Sequence, residues 1–207
     1  MHVSLSYTPA AANLLGYASN VTGATWTLSA TTSADSLAHT VTIRNDSVTD
    51  HSAKTMILTG TDADGIAQTE TMAMPGTSAT VTSVNAYLTL TSVVPSATIG
   101  ADTFDIGWSA VSFSKTVPCN YRQEEFQVSL GVVITGTINV TVQHTLDYLS
   151  TLGNAQAAYW FNHSSLAAIS ATADGNYAFP IIATRLKINS VTASATVKLK
   201  VVQGSKS

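Results

Sequence analysis

Charged side chains are scarce in this sequence. Asp, Glu, Lys and Arg make up 10% of its 207 residues, against about 25% in an average soluble protein. The formal net charge of −3 gives no general attraction to nucleic acid or to an anionic membrane. We therefore expect neither nucleic acid nor a membrane as a partner, and a surface built from uncharged polar side chains.

Cysteine and long apolar runs are also nearly absent. Cys119 is the single cysteine, so no internal disulfide can form, and we expect this thiol to be a small buried apolar group. No run approaches the roughly 18 apolar residues of a membrane-spanning helix. The first residues, MHVSLSYTPAAANLLGYA, have neither a basic segment nor a continuous apolar one, so we predict no signal peptide.

The motifs of common enzymes and metal sites are missing. The five histidines form no HExxH or HxH pair, and no GxSxG, P-loop or GxGxxG motif occurs. Asp62, Asp64 and Gly65 resemble the start of a calcium loop, but its later ligands are lacking, and a turn is the favoured interpretation. We predict no catalytic residues, no metal site and no cofactor, and hence a protein that is not an enzyme.

Threonine and serine are abundant instead. The chain has 31 Thr and 24 Ser, while hydrophobic residues still reach 45%. This apolar content is too high for a disordered chain. Threonine is β-branched and fits the half-exposed face of a sheet, so the composition indicates an all-β fold.

Strand patterns recur along the chain with turn residues between them, as in a β-sandwich. Residues 59–72, TGTDADGIAQTETM, predict a hairpin with Gly65 at a positive φ. Val41 and Ile43 predict a strand over 38–45 with one face inward and one in water. Other strands are predicted over 79–93, 102–113, 125–134, 137–145, 180–190 and 195–204, and short helices or ordered loops over 9–18 and 155–170.

The length and the spacing of these strands predict two small antiparallel β-sandwich domains, Ig-like or jelly-roll-like, with few short helices. The first domain is predicted over 1–117 and the second over 118–207. Residues 115–120, KTVPCN, are interpreted as a linker or crossover. One extended sandwich with a long crossover is the alternative. Trp26 and Trp108 are expected in the core.

Two groups of residues are candidate partner contacts. Tyr159, Trp160 and Phe161 cannot all be buried in an extended segment, because consecutive residues of a strand face opposite ways. If 180–190 and 195–204 form a hairpin, its outer face carries a basic ladder of Arg185, Lys187, Lys198 and Lys200. Such a ladder suits an acidic partner, and it equally suits a face that keeps the protein soluble and protects a sheet edge.

Two stretches of the chain resemble a known class of proteins. LTGTDADGIAQTETMAMPG (58–76) followed by VTSVNAYLTLTSVVPSATIGADTFDIGW (81–108) looks like a pattern met in virion proteins of tailed bacteriophages. VTVQHTLDY (140–148) and PIIATRLKINSVTASATVKLKVVQG (180–204) are similar to the small C-terminal β domains of such proteins. The resemblance implies a non-enzymatic structural protein, made in the bacterial cytoplasm and assembled onto a capsid, neck or tail.

Three functions follow from these features. The first is a capsid decoration, or cement, protein that binds the major capsid protein or another virion protein. It would act as a homo-oligomer, because symmetric repetition supplies avidity. The second is a neck, tail or fibre-base component of the virion. The third is a lectin-like module that binds glycans through Trp160 and its neighbours.

Overall fold

The computed structural model describes residues 1–192 and 194–204. It confirms the predicted all-β class: strands account for 52% of the chain, and no helix in these described ranges reaches seven residues. The strands are β1 (His2–Tyr7), β2 (Asn13–Val21), β3 (Ala38–Asn45), β4 (Thr55–Thr61), β5 (Ala67–Ala73), β6 (Thr80–Tyr87), β7 (Thr89–Pro95), β8 (Phe104–Phe113), β9 (Val117–Pro118), β10 (Val128–Thr135), β11 (Ile138–Thr145), β12 (Phe161–Asn162), β13 (Ala173–Tyr177), β14 (Ala183–Val191) and β15 (Thr196–Gln203). Two 3-10 turns lie at Leu149–Thr151 and Ala155–Ala157.

The prediction of a short helix or ordered loop is wrong for most of 9–18, which is strand. It holds for most of 155–170, which is loop with one 3-10 turn at Ala155–Ala157 and the two-residue strand β12. Most of 9–18 lies in β2, which pairs with β8. This pairing overrides the helix propensity of the alanines. Gly16 allows it, because a Cβ at this position would lie 2.1 Å from the Trp108 ring.

The chain divides into two compact units. Unit 1 comprises Met1–Ala11 and Val111–Ser207, and unit 2 comprises Ala12–Ala110. The predicted division at 117/118 placed residues 1–11 with the first domain. They belong to unit 1 instead, because β1 pairs over six residues with β15. The predicted linker 115–120 also lies inside unit 1, where β9 pairs with β14.

Unit 2 has the layered core of a sandwich. A three-stranded sheet, β5-β4-β7, supplies Met56, Leu58, Leu90 and Val93 to one buried cluster. The facing residues of this cluster come from β2, β3, β6 and β8 and include Tyr17, Val41, Ile43, Tyr87, Phe104 and Ile106. Trp26 is buried in the same core, as predicted, and Trp108 packs against it while partly buried.

The hairpin of β4 and β5 is confirmed in detail. The two strands pair from Thr55↔Ala73 to Thr61↔Ala67. Gly65 has a φ of 80°, in the left-handed region where glycine is favoured. The Asp62 carboxylate accepts hydrogen bonds from the backbone N–H groups of Asp64 and Ile66, both at 2.9 Å. The aspartate therefore holds the turn, in agreement with the favoured interpretation.

Two other strand predictions for unit 2 need correction. The segment 79–93 is two strands, because β6 pairs with β3 and β7 pairs with β4. β3 has its predicted bounds but no face open to water: His39, Thr40 and Thr42 are buried, and Arg44 is half-buried. Elements distant in the sequence cover both faces, and the alternation of residue types cannot reveal such cover.

Unit 1 contains a four-stranded antiparallel sheet in the order β1-β15-β10-β13. Val197, Leu199 and Val201 of β15 are buried, while Lys198 and Lys200 between them are exposed. β14 belongs to other pairings, with β11, with β9 and with the end of β8. The predicted hairpin of 180–190 with 195–204 is therefore wrong. The short connection between these segments joins two sheets instead of two neighbours in one sheet.

Candidate partner-binding surface

The exposed large aromatic side chains among the described residues all lie in unit 1. Their relative exposures are 53% for Tyr148, 79% for Tyr159, 50% for Phe161 and 49% for Phe179. We call these four residues the aromatic surface. The exposed large side chains of unit 2 are aliphatic: Leu14, Leu15, Val48, Ile57, Ile66, Val84 and Val94.

The backbone near Tyr159 explains why its neighbours differ. β12 pairs with β11 through His144↔Phe161, and the Tyr159 N–H donates to the Asp147 carboxylate at 2.7 Å. Phe161 and Tyr159 are exposed, whereas Trp160 between them is half-buried. The indole N–H of Trp160 donates to the Ala155 carbonyl at 2.8 Å. Trp160 thus anchors the segment that presents Tyr159 and Phe161.

Arg185 completes this anchor. Its guanidinium carbon lies 4.0 Å from the centre of the Trp160 ring and 4.3 Å from that of Phe113. Arg185 is 5% exposed, and its Nε donates to Gln143 Oε1 at 3.0 Å. Stacking of a guanidinium on aromatic rings is stabilising when it is shielded from water. Because Arg185 is buried, it is no longer a candidate partner contact. It helps to hold the aromatic surface in place.

Below Phe161 and Phe179 lies a group of packed rings. The Phe161 ring stacks on His144 with centroids 5.6 Å apart, and Phe179 meets His144 edge-on at 5.6 Å. Tyr177 meets His144 at 4.8 Å. Burial, with the His163 imidazole nearby, lowers the pKa of His144, and burial raises the pKa of Tyr177. These contacts hold the Phe161 and Phe179 rings against β11.

The four predicted cations do not form one ladder. Lys198 and Lys200 lie on the exposed face of the β1-β15-β10-β13 sheet, where Lys200 is level with Ser4 and Gly131. Lys187 lies on β14 and is half-buried. The structure therefore keeps Lys198 and Lys200 as an exposed basic pair, and it separates them from Arg185 and Lys187 because the predicted hairpin does not form.

Unit 2 contains buried polar networks that the sequence did not reveal. The two ring nitrogens of His39 lie 2.8 Å from the Ser109 carbonyl and 2.8 Å from the Asp35 carboxylate. His51 lies between Asp102, at 2.8 Å, and the Lys54 ammonium, at 3.1 Å. The His39 network joins a loop to β3 and β8, and the His51 network joins two loops. With both nitrogens of each ring occupied, these contacts are suited to holding loops in place.

Three residues that support or form the aromatic surface were missed by sequence reasoning. Tyr148 follows β11, Phe179 precedes Pro180, and His144 sits inside a strand whose other residues are uncharged. The run of aromatics at 159–161 is a visible signal, whereas Tyr148 and Phe179 are isolated in the sequence. Pairing of β11 with β12 and packing of β13 on β11 bring Phe161, Phe179 and His144 together, while the Tyr148 ring meets that of Tyr121 edge-on at 5.6 Å.

Within residues 1–192 and 194–204, no group of three or more His, Cys, Asp or Glu side chains is placed to hold a metal ion. No helix in this described part is long and apolar enough to cross a membrane. Cys119 is buried, as predicted, and burial raises the pKa of its thiol to about 11. No protein-family model and no curated protein matches the chain.

Proposed function

We propose that the chain is a non-enzymatic structural protein of a bacteriophage virion, a capsid decoration protein that binds and stabilises the head shell. The aromatic surface is the observation that carries this proposal, because it offers a pre-ordered contact area for another protein. The major capsid protein is the proposed partner, and assembly takes place in the bacterial cytoplasm. The resemblance to virion proteins, carried by residues 58–76, 81–108, 140–148 and 180–204, supplies the class of particle.

Exposed, well-packed tyrosine and phenylalanine side chains suit protein binding. They are large and have few rotatable bonds, so ordering them in an interface costs little entropy. A few aromatic anchors usually dominate the binding energy of an interface. Tyr159 is the most exposed of the four, and its backbone is fixed by Asp147. It is therefore the proposed central anchor.

The basic pair gives the proposed protein a second contact. Lys198 and Lys200 lie on a sheet face with Ser4, Ser6 and Ser129, which carry no charge. Two cations in such surroundings favour an acidic patch on a capsid protein or on another copy of this chain. Repetition around the shell would let each contact be modest while the whole array stays attached.

The first experiment is quantitative mass spectrometry of purified virions. A copy number equal to that of the major capsid protein, or a small fraction of it, supports a decoration protein. Some six to eighteen copies per particle would move the protein to the neck, tail or fibre base, the second candidate. Absence from the particle would reject both assignments.

The role of the aromatic surface is tested by adding purified protein to particles that lack it. Tyr159→Ser should weaken attachment about 30-fold, the effect of losing one hot spot of about 2 kcal/mol. Ile57→Ser, which replaces an exposed aliphatic side chain in unit 2, is the matched control and should bind like the wild type. Equal binding by the two variants would contradict docking through the aromatic surface.

A glycan-binding module is a further candidate, since exposed rings can also stack on the apolar faces of sugars. Trp160 was the expected platform, but its ring is stacked on Arg185, which leaves Tyr159 and Phe161 as the accessible rings. A glycan array with binding that Tyr159→Ala abolishes would favour this function. An array without binding would reject it.

A further inference from the structure

Two rings of the aromatic surface, Phe161 and Phe179, rest on a buried cluster that contains two histidines. The Tyr177 ring contacts both imidazoles, with centroids 4.8 Å from His144 and 4.8 Å from His163. His144 is 8% exposed, His163 5% and Tyr177 2%. We call these three residues the support cluster. Phe161 and Phe179 both lie against His144, so protonation of this imidazole would affect the packing of two of the four exposed rings.

His144 is placed to be neutral. Its Nδ1 is buried and has no hydrogen-bond partner within the part of the chain that the structure describes. A protonated ring would place an N–H at this nitrogen without an acceptor and a charge among Phe161, Phe179 and Tyr177. Burying such a group is costly. The lowered pKa of His144, caused by burial and then by His163, agrees with this geometry.

His163 is held in a matching way. The Ser165 N–H points at His163 Nδ1 at 3.2 Å, and His163 Nε2 lies 3.2 Å from the Asn176 carbonyl. In this arrangement Nδ1 accepts from the Ser165 N–H and Nε2 donates to the Asn176 carbonyl. The Ser165 hydroxyl oxygen also lies 3.3 Å from Nδ1. Gly175 leaves room for the ring, since a Cβ there would lie 2.8 Å from His163 Cε1.

The groups around the support cluster offer little to stabilise positive charge. Tyr177 and the Cys119 thiol, which acts on Tyr177, are neutral between pH 5 and 7, because burial raises the pKa of each. Arg185 is cationic, and it follows Thr184, the residue of β14 that pairs with His144. The Asp147 carboxylate is already engaged, because it accepts a hydrogen bond from the Tyr159 N–H. Asp174 is exposed. It lies three residues before Tyr177 on β13, and an odd spacing in a strand places the two side chains on opposite faces.

We propose that the support cluster makes the aromatic surface responsive to pH: protonation of His144, with His163 beside it, releases β12 from β11 and takes Phe161 and Phe179 out of their docking positions. This inference rests on the proposed docking role of the aromatic surface. β12 is the element suited to open, because its ladder with β11 has two residue pairs, Gln143↔Asn162 and His144↔Phe161. Opening would also break the bond from the Gln143 amide to Asn162 Oδ1, at 3.0 Å, and that from the His163 N–H to the Val142 carbonyl, at 2.9 Å. Its release would let water reach the charged imidazole.

Hydrogen exchange of the isolated full chain at pH 7.5 and pH 5.0 tests the proposed pH response. Rates are corrected for the intrinsic pH dependence of exchange. Opening of residues 159–165 should increase on the order of tenfold at pH 5.0, as expected when the open state binds a proton that the closed state excludes. The β4–β5 hairpin of unit 2 is the internal reference and should not change.

Two variants identify the responsible groups. His144→Phe keeps an aromatic ring against Phe161 and Phe179 but cannot be protonated, so it should abolish the response. His163→Gln keeps polar atoms near Asn176 and Ser165 and should reduce the response, which provides a second test if His144→Phe fails to fold. A wild type without local opening at pH 5.0, or an unchanged response in both folded variants, would overturn the proposal.

Attachment to particles separates this inference from the proposed function. Binding at pH 7.5 that is lost at pH 5.0 in the wild type and kept in His144→Phe supports both. Opening at pH 5.0 without binding at pH 7.5 supports the pH response and overturns the docking role. Binding that is equal at the two pH values, with no opening, supports docking and overturns the pH response.

Discussion

Two neighbouring threonines on β3 show how a single hydroxyl decides stability. The Thr40 hydroxyl bonds the Ser109 hydroxyl at 2.6 Å, whereas the buried Thr42 hydroxyl has no partner among the described residues. A buried hydroxyl without a partner is costly. Thr42→Val should therefore raise the free energy of unfolding by about 1 kcal/mol, and Thr40→Val should lower it by about 1 kcal/mol.

Urea denaturation followed by tryptophan fluorescence measures both changes, because Trp26 and Trp108 report on unit 2. A loss of stability in Thr42→Val as large as in Thr40→Val would show that the Thr42 hydroxyl has a hydrogen-bond partner in solution.

The burial of Trp26 and Cys119 could be predicted from residue type alone. The partners of His39 and His51 could not, because Ser109 and Asp102 lie 70 and 51 residues away in the sequence.

The turn between β4 and β5 depends on one backbone angle. Gly65 has a φ of 80°, and a Cβ there would meet no atom within 4 Å. Gly65→Val should therefore cost about 1 kcal/mol or more through backbone strain alone. Ala63→Val, in the same turn at a residue without a positive φ, is the control and should be close to neutral. Equal stability of the two variants in urea would contradict the strained turn.

The basic pair belongs to one sheet face and can be tested there. Lys198→Glu with Lys200→Glu reverses two exposed charges without touching the buried Val197, Leu199 and Val201. The folded state should keep its stability, while attachment to particles should weaken and lose part of its dependence on salt. Binding measured at low and high salt checks this. Unchanged attachment would assign the pair to solubility alone.

Local elements were predictable and distant pairings were not. The β4–β5 hairpin and the bounds of β3 follow from nearby turn residues and alternation. The partners of β14 and β15 depend on packing between segments far apart in sequence: β15 pairs with β1 near the other terminus and with β10, although β14 precedes it directly. The aromatic run at 159–161 could be found from sequence, whereas His144 could not, since its role arises only when β12 and β13 reach β11.

The division into units makes a prediction about the first residues of the chain. β1 covers β15 through six residue pairs, and its Leu5 and Tyr7 side chains are buried. Deleting residues 1–7 should lower the stability of unit 1 by about 3 kcal/mol or more, since each buried apolar side chain contributes about 1.5–3 kcal/mol. It should also expose the edge of β15, with its unpaired backbone groups.

Hydrogen exchange checks this prediction within one molecule. In the shortened chain, amides of β15 should exchange faster, while those of β4 and β7 in unit 2 should keep their protection, because no residue of the unit 2 core lies before Ala12. Ser6→Ala, which alters only an exposed side chain of β1, is the control. Faster exchange in unit 2, with exchange of β15 unchanged, would show that residues 1–11 stabilise unit 2, in agreement with the sequence-based prediction of a first domain over 1–117.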